Sequence, residues 1–460
     1  MNLSADSKPL ADRLAQYAGD FRFENVDESA VREVKRRLID SLGCAIGALN
    51  SEPASIARQT AGAFVTPNGA RLFGTNLRVP PDWAAFANGV CVRYLDFNDT
   101  YLSKEPAHPS DNIAPLLAIA ESAGSTGKEL IAAIALAYEI QCRLCDAASP
   151  RSRGWDHVSY VPFSVALGAS RLLNLDCEQT RHAINIAGVA AGALRQSRVG
   201  ELSHWKGATV GAAARQGVFA ALLAKNGMTG PGPIFEGAMG FEKLVSGPLE
   251  NFTLAGESSD LMILKTSIKG WPAEYHSQSA IEAALKLRDR IPGIEAVESV
   301  TVESHDAAVD IIGSEPEKWR PQNRETADHS LPYIVAAALA DGEITERQFA
   351  PERFTDEGLL SLVERVKVTR HAELSAAYPG AVGNIVHVRL RDGTDVTERV
   401  DHPRGHAKNP MSDAEVEAKF LALTGEKASK LMELAWNLDS LKSVEALSDF
   451  KFGGSNTQPK

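Results

Sequence analysis

The feature that most restricts the fold is a train of apolar runs in the first half of the chain: Trp83 to Val92, Ile113 to Ala123, Leu130 to Ala148, Val161 to Leu173, Cys177 to Ala193 and Ala208 to Asn226. Each is long enough for several helical turns, and no uncharged apolar run approaches the roughly 18 residues that a bilayer requires. Many carry alanine or glycine where helices would touch, as in Ala212-Ala213-Ala214 and the set Ala187, Ala190, Ala191 and Ala193. Small side chains let helix axes approach closely, so these runs predict tightly packed, nearly buried helices. Upstream, Val31, Val34, Leu38, Ile39 and Leu42 recur at helical spacing, with Asp27 placed to cap the N-terminus and Gly43, Ala45, Gly47 and Ala48 following. An all-helical domain is expected.

From Met228 to Gly247 the chain turns rich in glycine and proline, which marks a long ordered loop leaving that domain. The periodicity then changes to two. Val297 to Ser304 alternates, Val366 to Arg370 is a second short strand, and Ile385 to Leu390 and Val396 to Val400 flank an Asp-Gly turn. Helices at Ser277 to Arg290, Ser330 to Ala340 and Asp356 to Val363 interrupt them. The expected architecture is mainly α with a smaller α+β domain: residues 1–264 plus 403–460 helical, residues 265–402 an α+β lid.

Composition removes several functions. The 460 residues carry a net charge of −11 and no basic stripe, which argues against nucleic acid. Five scattered cysteines do not build a disulfide framework and suit a reducing compartment. Cys142 and Cys145 form a C-x-x-C, but they lie inside an apolar helical run with no second pair at ligand spacing, so they read as helix residues. Met1 to Leu10 lacks a leader pattern, Gly453 to Lys460 reads as disordered, and the expected location is the cytoplasm, without a membrane.

Chemistry concentrates in a polar loop between two apolar helices, Tyr94 to Pro115, which holds Asp96, Asp99, Thr100, Glu105, His108, Ser110 and Asp111. Pro106 and Pro109 bracket His108 and stiffen the backbone on both sides. A rigid loop carrying carboxylate, hydroxyl and imidazole suits proton transfer, and the same residues would also serve as helix caps. Asp156 and His157 open another apolar helix. Arg195, Arg198, His204 and Lys206 precede the Ala-rich helix from Ala208, where cations oppose the macrodipole; with exposed amides they would hold a carboxylate, or they stand as solvated charges. Lys269 and His276 stand where the two domains should meet, and Asp328-His329 and Tyr333 open a later helix. His402 and His406 have an i, i+4 spacing broken by Pro403 and Gly405. No zinc, calcium, P-loop, dinucleotide or nucleophile-elbow pattern occurs, so neither metal nor cofactor is expected.

Taken together, D-F-N-D-T-Y-L-x-x-E-x-x-H-P-S-D-N (Asp96 to Asn112), P-A-E-Y-H-S-Q-S-A-I-E-A-A (Pro272 to Ala284), D-H-S-L-P-Y (Asp328 to Tyr333) and P-R-G-H (Pro403 to His406) resemble the MmgE/PrpD family. The resemblance covers nearly the whole chain. It implies a large helical domain with a smaller α+β lid, a homodimer, and cofactor-free dehydration of a 2-methylcitrate-like tricarboxylic acid. It places active-site positions on Asp96, Thr100, His108, His157, Lys206, Lys269 and Tyr333; Arg198 and His276 are expected to join Tyr333 toward the substrate. Lys206 and Lys269 would hold carboxylates, His108 and His157 would move protons, and Asp96 and Thr100 would orient His108 and the substrate. The same pocket would serve decarboxylation or epimerisation of a related polycarboxylate, told apart by carbon dioxide release or loss of optical rotation. A silent carboxylate-binding protein would bind without turnover.

Overall fold

The structure is a computed structural model that describes residues 8–255 and 260–450. The reading of Gly453 to Lys460, and most of that of Met1 to Leu10, lies outside them. Helices of eight residues or more in the first half are α1 (Leu10–Asp20), α2 (Glu28–Gly47), α3 (Glu52–Ala61), α4 (Pro81–Tyr94), α5 (Ile113–Ala123), α6 (Gly127–Ala147), α7 (Val161–Leu172), α8 (Cys177–Val189) and α9 (Trp205–Lys225). Asp27 caps α2 by accepting the Ala30 N–H. A two-strand ribbon, β1 (Ala70–Arg71) with β2 (Arg78–Val79), lies between α3 and α4.

Glycine lets α4 and α9 touch backbone to backbone: a Cβ on Gly89 would lie 3.3 Å from Gly211 Cα, and one on Gly211 only 2.6 Å from the Phe86 carbonyl oxygen. That approach matters for the site, because α4 runs out at Tyr94 into the polar loop and α9 begins at Trp205-Lys206 beside it. Cys142 and Cys145 are buried helix residues, as their spacing suggested.

The smaller body is a four-stranded sheet, β3 (Val297–Ser304), β4 (Val366–Arg370), β5 (Asn384–Leu390) and β6 (Asp395–Val400), in the order β4-β3-β5-β6. β3 and β4 are parallel and the other pairs antiparallel, with Val300 opposite Val366 and Val302 opposite Val386. Helices α10 (Gln278–Arg288) and α11 (Leu331–Asp341) share an apolar core with the sheet, drawn from residues 273–400. The other large core runs from Leu10 to Ile268 and resumes at Met411, where α12 (Asp413–Thr424) and α13 (Ser429–Trp436) return the chain to α2.

The chain therefore crosses between bodies twice, and the two crossings are bonded together. Thr100 and Ser267 exchange backbone hydrogen bonds of 2.8 Å, and Ile268 N donates to the Gly405 carbonyl at 3.0 Å. Gly405 has φ of +93°, and a Cβ there would fall 1.9 Å from the Ile268 carbonyl oxygen. Gly393, at the β5–β6 turn, has φ of +89° but open space around it. Gly393→Ala should cost only left-handed strain, about 1–2 kcal/mol, and Gly405→Ala should cost more because of the carbonyl. Thermal denaturation of the two variants checks this. A smaller loss of Tm for Gly405→Ala would show that the crossings are not closely packed.

Candidate active site

The polar loop after α4 is held from below. The buried Asp99 carboxylate accepts the Ser110 N–H at 2.9 Å and the Tyr138 hydroxyl at 2.8 Å, with Arg37 Nε 3.5 Å away. Asn112 binds the Gln141 side chain at 2.5 Å and accepts the Ser164 hydroxyl at 2.7 Å. These anchors leave the other edge of the loop facing the junction.

At that edge sits Asp96, a non-glycine residue at φ of +50° and 1% exposed. Its carboxylate takes Arg93 at 2.8 Å, Lys206 at 3.0 Å and Lys269 in a very short contact, with His329 Nδ1 at 3.4 Å. Lys206 also meets Asp328 at 2.8 Å, and Asp328 meets His329 at 2.7 Å. Burial alone would raise the Asp96 pKa, but Arg93, Lys206 and Lys269 overrule it and hold the carboxyl well below its ordinary value. Burial, then the charge of Lys206, lowers His329 to about 4, so it is neutral. Three cations thus face two carboxylates, leaving one positive charge buried at the junction of the bodies.

Asp96, Asp328 and His329 bring ligand atoms within 4.8 Å of one another, a spacing that could suit an ion. The lysines argue otherwise. Any dication there would lie against the ammonium groups of Lys206 and Lys269 that already bridge these carboxylates.

Two imidazoles flank the cluster, with ring centroids 5.5 Å apart. His108 Nδ1 lies 2.7 Å from the Asp99 carbonyl, which can only accept, so Nδ1 carries the proton. Its Nε2 is then a lone pair, and Arg93 donates to it at 3.0 Å. Thr100 Oγ1 is 3.2 Å from Nδ1. Burial, Arg93 and Lys269 hold His108 well below the ordinary imidazole value. His157 is arranged differently. Its Nδ1 donates to Asp156 Oδ1 at 2.8 Å, and Arg198 and Ser197 grip the other Asp156 oxygen at 2.8 and 2.9 Å. His157 Nε2 is buried and, among the described residues, has no hydrogen-bond partner. Burial lowers its pKa, and Asp156 partly offsets that.

Residues 12–251 match the MmgE/PrpD N-terminal domain and residues 271–439 the MmgE/PrpD C-terminal domain. The chain belongs to the MmgE/PrpD family. It is 32% identical to the 2-methylcitrate dehydratase of Salmonella typhimurium, over 81% of each chain. It is 30% identical to the mitochondrial 2-methylcitrate dehydratase of Yarrowia lipolytica, over 88% of this chain and 82% of the relative. The alkylcitrate dehydratase phiI of a fungal species is also 30% identical, over 94% and 92%. The C-terminal family match spans the small body and runs back into the helical one.

Of the positions the family resemblance pointed to, the structure gathers Asp96, Thr100, His108, His157, Lys206 and Lys269, with Arg198 behind Asp156. Asp96 does not contact His108. The Asp99 carbonyl and Arg93 orient that ring, because the left-handed turn at Asp96 aims its carboxylate at the lysines instead. Tyr333 is not part of the cluster. It sits in the core of the small body, donating to the Gln348 carbonyl beside Phe349, because it opens a helix whose residues are almost all apolar. His276 connects only through Glu274, whose N–H donates to the Asp328 carbonyl at 2.9 Å.

Sequence reasoning passed over Arg93 and the support behind Lys269. Lys419 donates to the carbonyls of Phe97 and Lys269 at 2.7 and 3.0 Å and pairs with Asp40 at 2.5 Å. An arginine ending the run A-A-F-A-N-G-V-C-V-R was a usable signal, since a cation in an otherwise apolar helix needs a buried partner. The His108 tautomer can be tested directly: imidazole ¹⁵N spectra should show a neutral ring protonated at Nδ1, with no titration near pH 6.5. A ring that charges between pH 6 and 7 would break the proposed Arg93–Nε2 bond.

Proposed function

We propose that this protein is a hydro-lyase that dehydrates a 2-methylcitrate-like tricarboxylic acid without a cofactor. The observation that carries the reading is His157: a buried imidazole with Nδ1–H fixed on Asp156 and a free Nε2, beside a junction with surplus positive charge. The names of the relatives support the reaction type and the substrate class. The helical body, residues 1–264 with 403–460, serves as the base of the cleft and residues 265–402 as its lid.

In the elimination, His157 Nε2 takes the proton from the carbon next to a substrate carboxylate. Arg93 and Lys206 hold the carboxylates as charge develops, a use of preorganised cations that is strongest where water is excluded. His108 keeps its lone pair toward Arg93, so it positions that guanidinium rather than giving up a proton. The carbon–oxygen bond breaks, and the hydroxyl leaves as water with a proton from Lys269, whose pKa burial has lowered and Asp96 partly restored. The double bond forms between the two carbons. Incubation with 2-methylcitrate, citrate, cis-aconitate and iminodisuccinate, followed by NMR, tests the assignment. Carbon dioxide release or epimerisation without a new double bond would replace it.

His157→Gln should lower kcat by about 10²- to 10⁴-fold with the fold intact. A base must be neutral and an acid protonated, so kcat/KM should rise with pH through a value below 6.5, reach a plateau, and fall again where Lys269 loses its proton. Asp156→Asn removes the charge that raises His157, so the rising limb should move further to acid and the plateau should fall. A limb that moves to higher pH would exclude His157 as the base.

A homodimer fits the surface. Two grooves of about 530 and 430 Å³ share Trp205, Ala212 and Gln216 on α9, and Trp205, Phe219 and, on α3, Ile56 are exposed. Such an apolar face suits a second copy of the chain. Sedimentation should give about twice the 49.3 kDa chain mass, and Phe219→Glu should shift it toward the monomer. Five free cysteines suit the cytoplasm, and among the described residues no helix is long and apolar enough to cross a membrane.

A further inference from the structure

The small body holds a second imidazole cluster that takes no part in this elimination. His276 Nδ1 pairs with Glu274 Oε1 at 2.6 Å, and its Nε2 lies 3.5 Å from the Tyr378 hydroxyl oxygen. Tyr378 stacks on His305, with centroids 4.7 Å apart and planes 15° apart. His305 Nδ1 accepts the Ala308 N–H at 3.4 Å, capping the short helix Asp306–Ile312. The neutral ring must then carry its proton on Nε2, and that atom is buried without a partner among the described residues. Burial lowers the His305 pKa to about 3, in keeping with a neutral ring.

An unpaired buried N–H is uncommon in a folded protein and invites a ligand. The cluster's position supplies one. Burial raises the Tyr378 pKa, and the charges of Arg151 and Glu105 on the helical body also act on it; burial would raise Glu274 too, but His276, with His329 and Lys269, holds it at about 2. Glu274, which binds His276, donates its N–H to the carbonyl of Asp328, the ion-pair partner of Lys206, so the stacked pair lies on the small-body side of the lysine cluster. We infer that His305 Nε2–H and the Tyr378 hydroxyl form a carboxylate subsite for the acid group of the substrate that does not lie over Arg93 and Lys206. Two donors on parallel rings match the two oxygens of a carboxylate. The inference rests on the polycarboxylate reading and deepens it: the subsite would select tricarboxylic over dicarboxylic acids.

Calorimetry with tricarballylate and glutarate tests this without turnover, because neither has a hydroxyl to lose. The full-length protein should bind tricarballylate at least about tenfold more tightly than glutarate, as a lost hydrogen bond to a charged group typically costs tenfold or more. Tyr378→Phe keeps the stacking, and His305→Asn keeps an oxygen to cap the helix. Each should erase about tenfold of that preference while leaving glutarate within twofold. No preference in the unmodified protein, or an unchanged ratio in both variants, overturns the subsite. If His305→Asn fails to fold, Tyr378→Phe decides alone. Tight tricarballylate binding with no dehydration of 2-methylcitrate would refute the proposed reaction and leave the subsite standing.

Discussion

The site depends on one buried carboxylate. Asp96 is taken out of water in a left-handed backbone conformation that a non-glycine residue adopts only when its surroundings hold it there. What holds it are cations from three places: Arg93 at the end of α4, Lys206 at the start of α9 and Lys269 on the crossing segment. Each lysine would be costly to bury alone, and so would the carboxylate. Together they fix α4, α9 and the junction at one point, and Asp328 with His329 brings in the small body.

That arrangement also sets the protonation states around it. The surplus positive charge keeps neighbouring imidazoles neutral, as burial already favours. Neutral His108 accepts from Arg93, while His157, backed by Asp156, keeps an open lone pair. Two rings 5.5 Å apart therefore differ in environment, because one borders the cation cluster and the other a carboxylate.

Much of this was legible in the sequence, and the remainder has physical reasons for being hidden. Helix positions followed from apolar runs and small packing residues, and the strands from period-two alternation with an Asp-Gly turn at Asp392-Gly393. The loop around His108 stood out because it held more ionisable side chains than a connection needs. Which partner each would choose was not legible. Asp96 reaches the lysines only through its unusual φ, and Lys419 supports Lys269 from 150 residues away. Tyr333 misled because it sits next to Asp328-His329 in sequence, yet a helix turns it into the apolar core.

The returning segment at Met411 to Phe450 has a consequence for how the chain is made. The small body's core is complete by Val400, whereas the helical body still lacks α12, α13 and Lys419, the partner of Asp40 on α2. A ribosome therefore releases the small body's residues before the older helices can finish closing, and α2 must wait with an apolar flank and a lone carboxylate uncovered. Nascent chains of this shape spend their exposed interval in the larger body, where a chaperone would have most to shield.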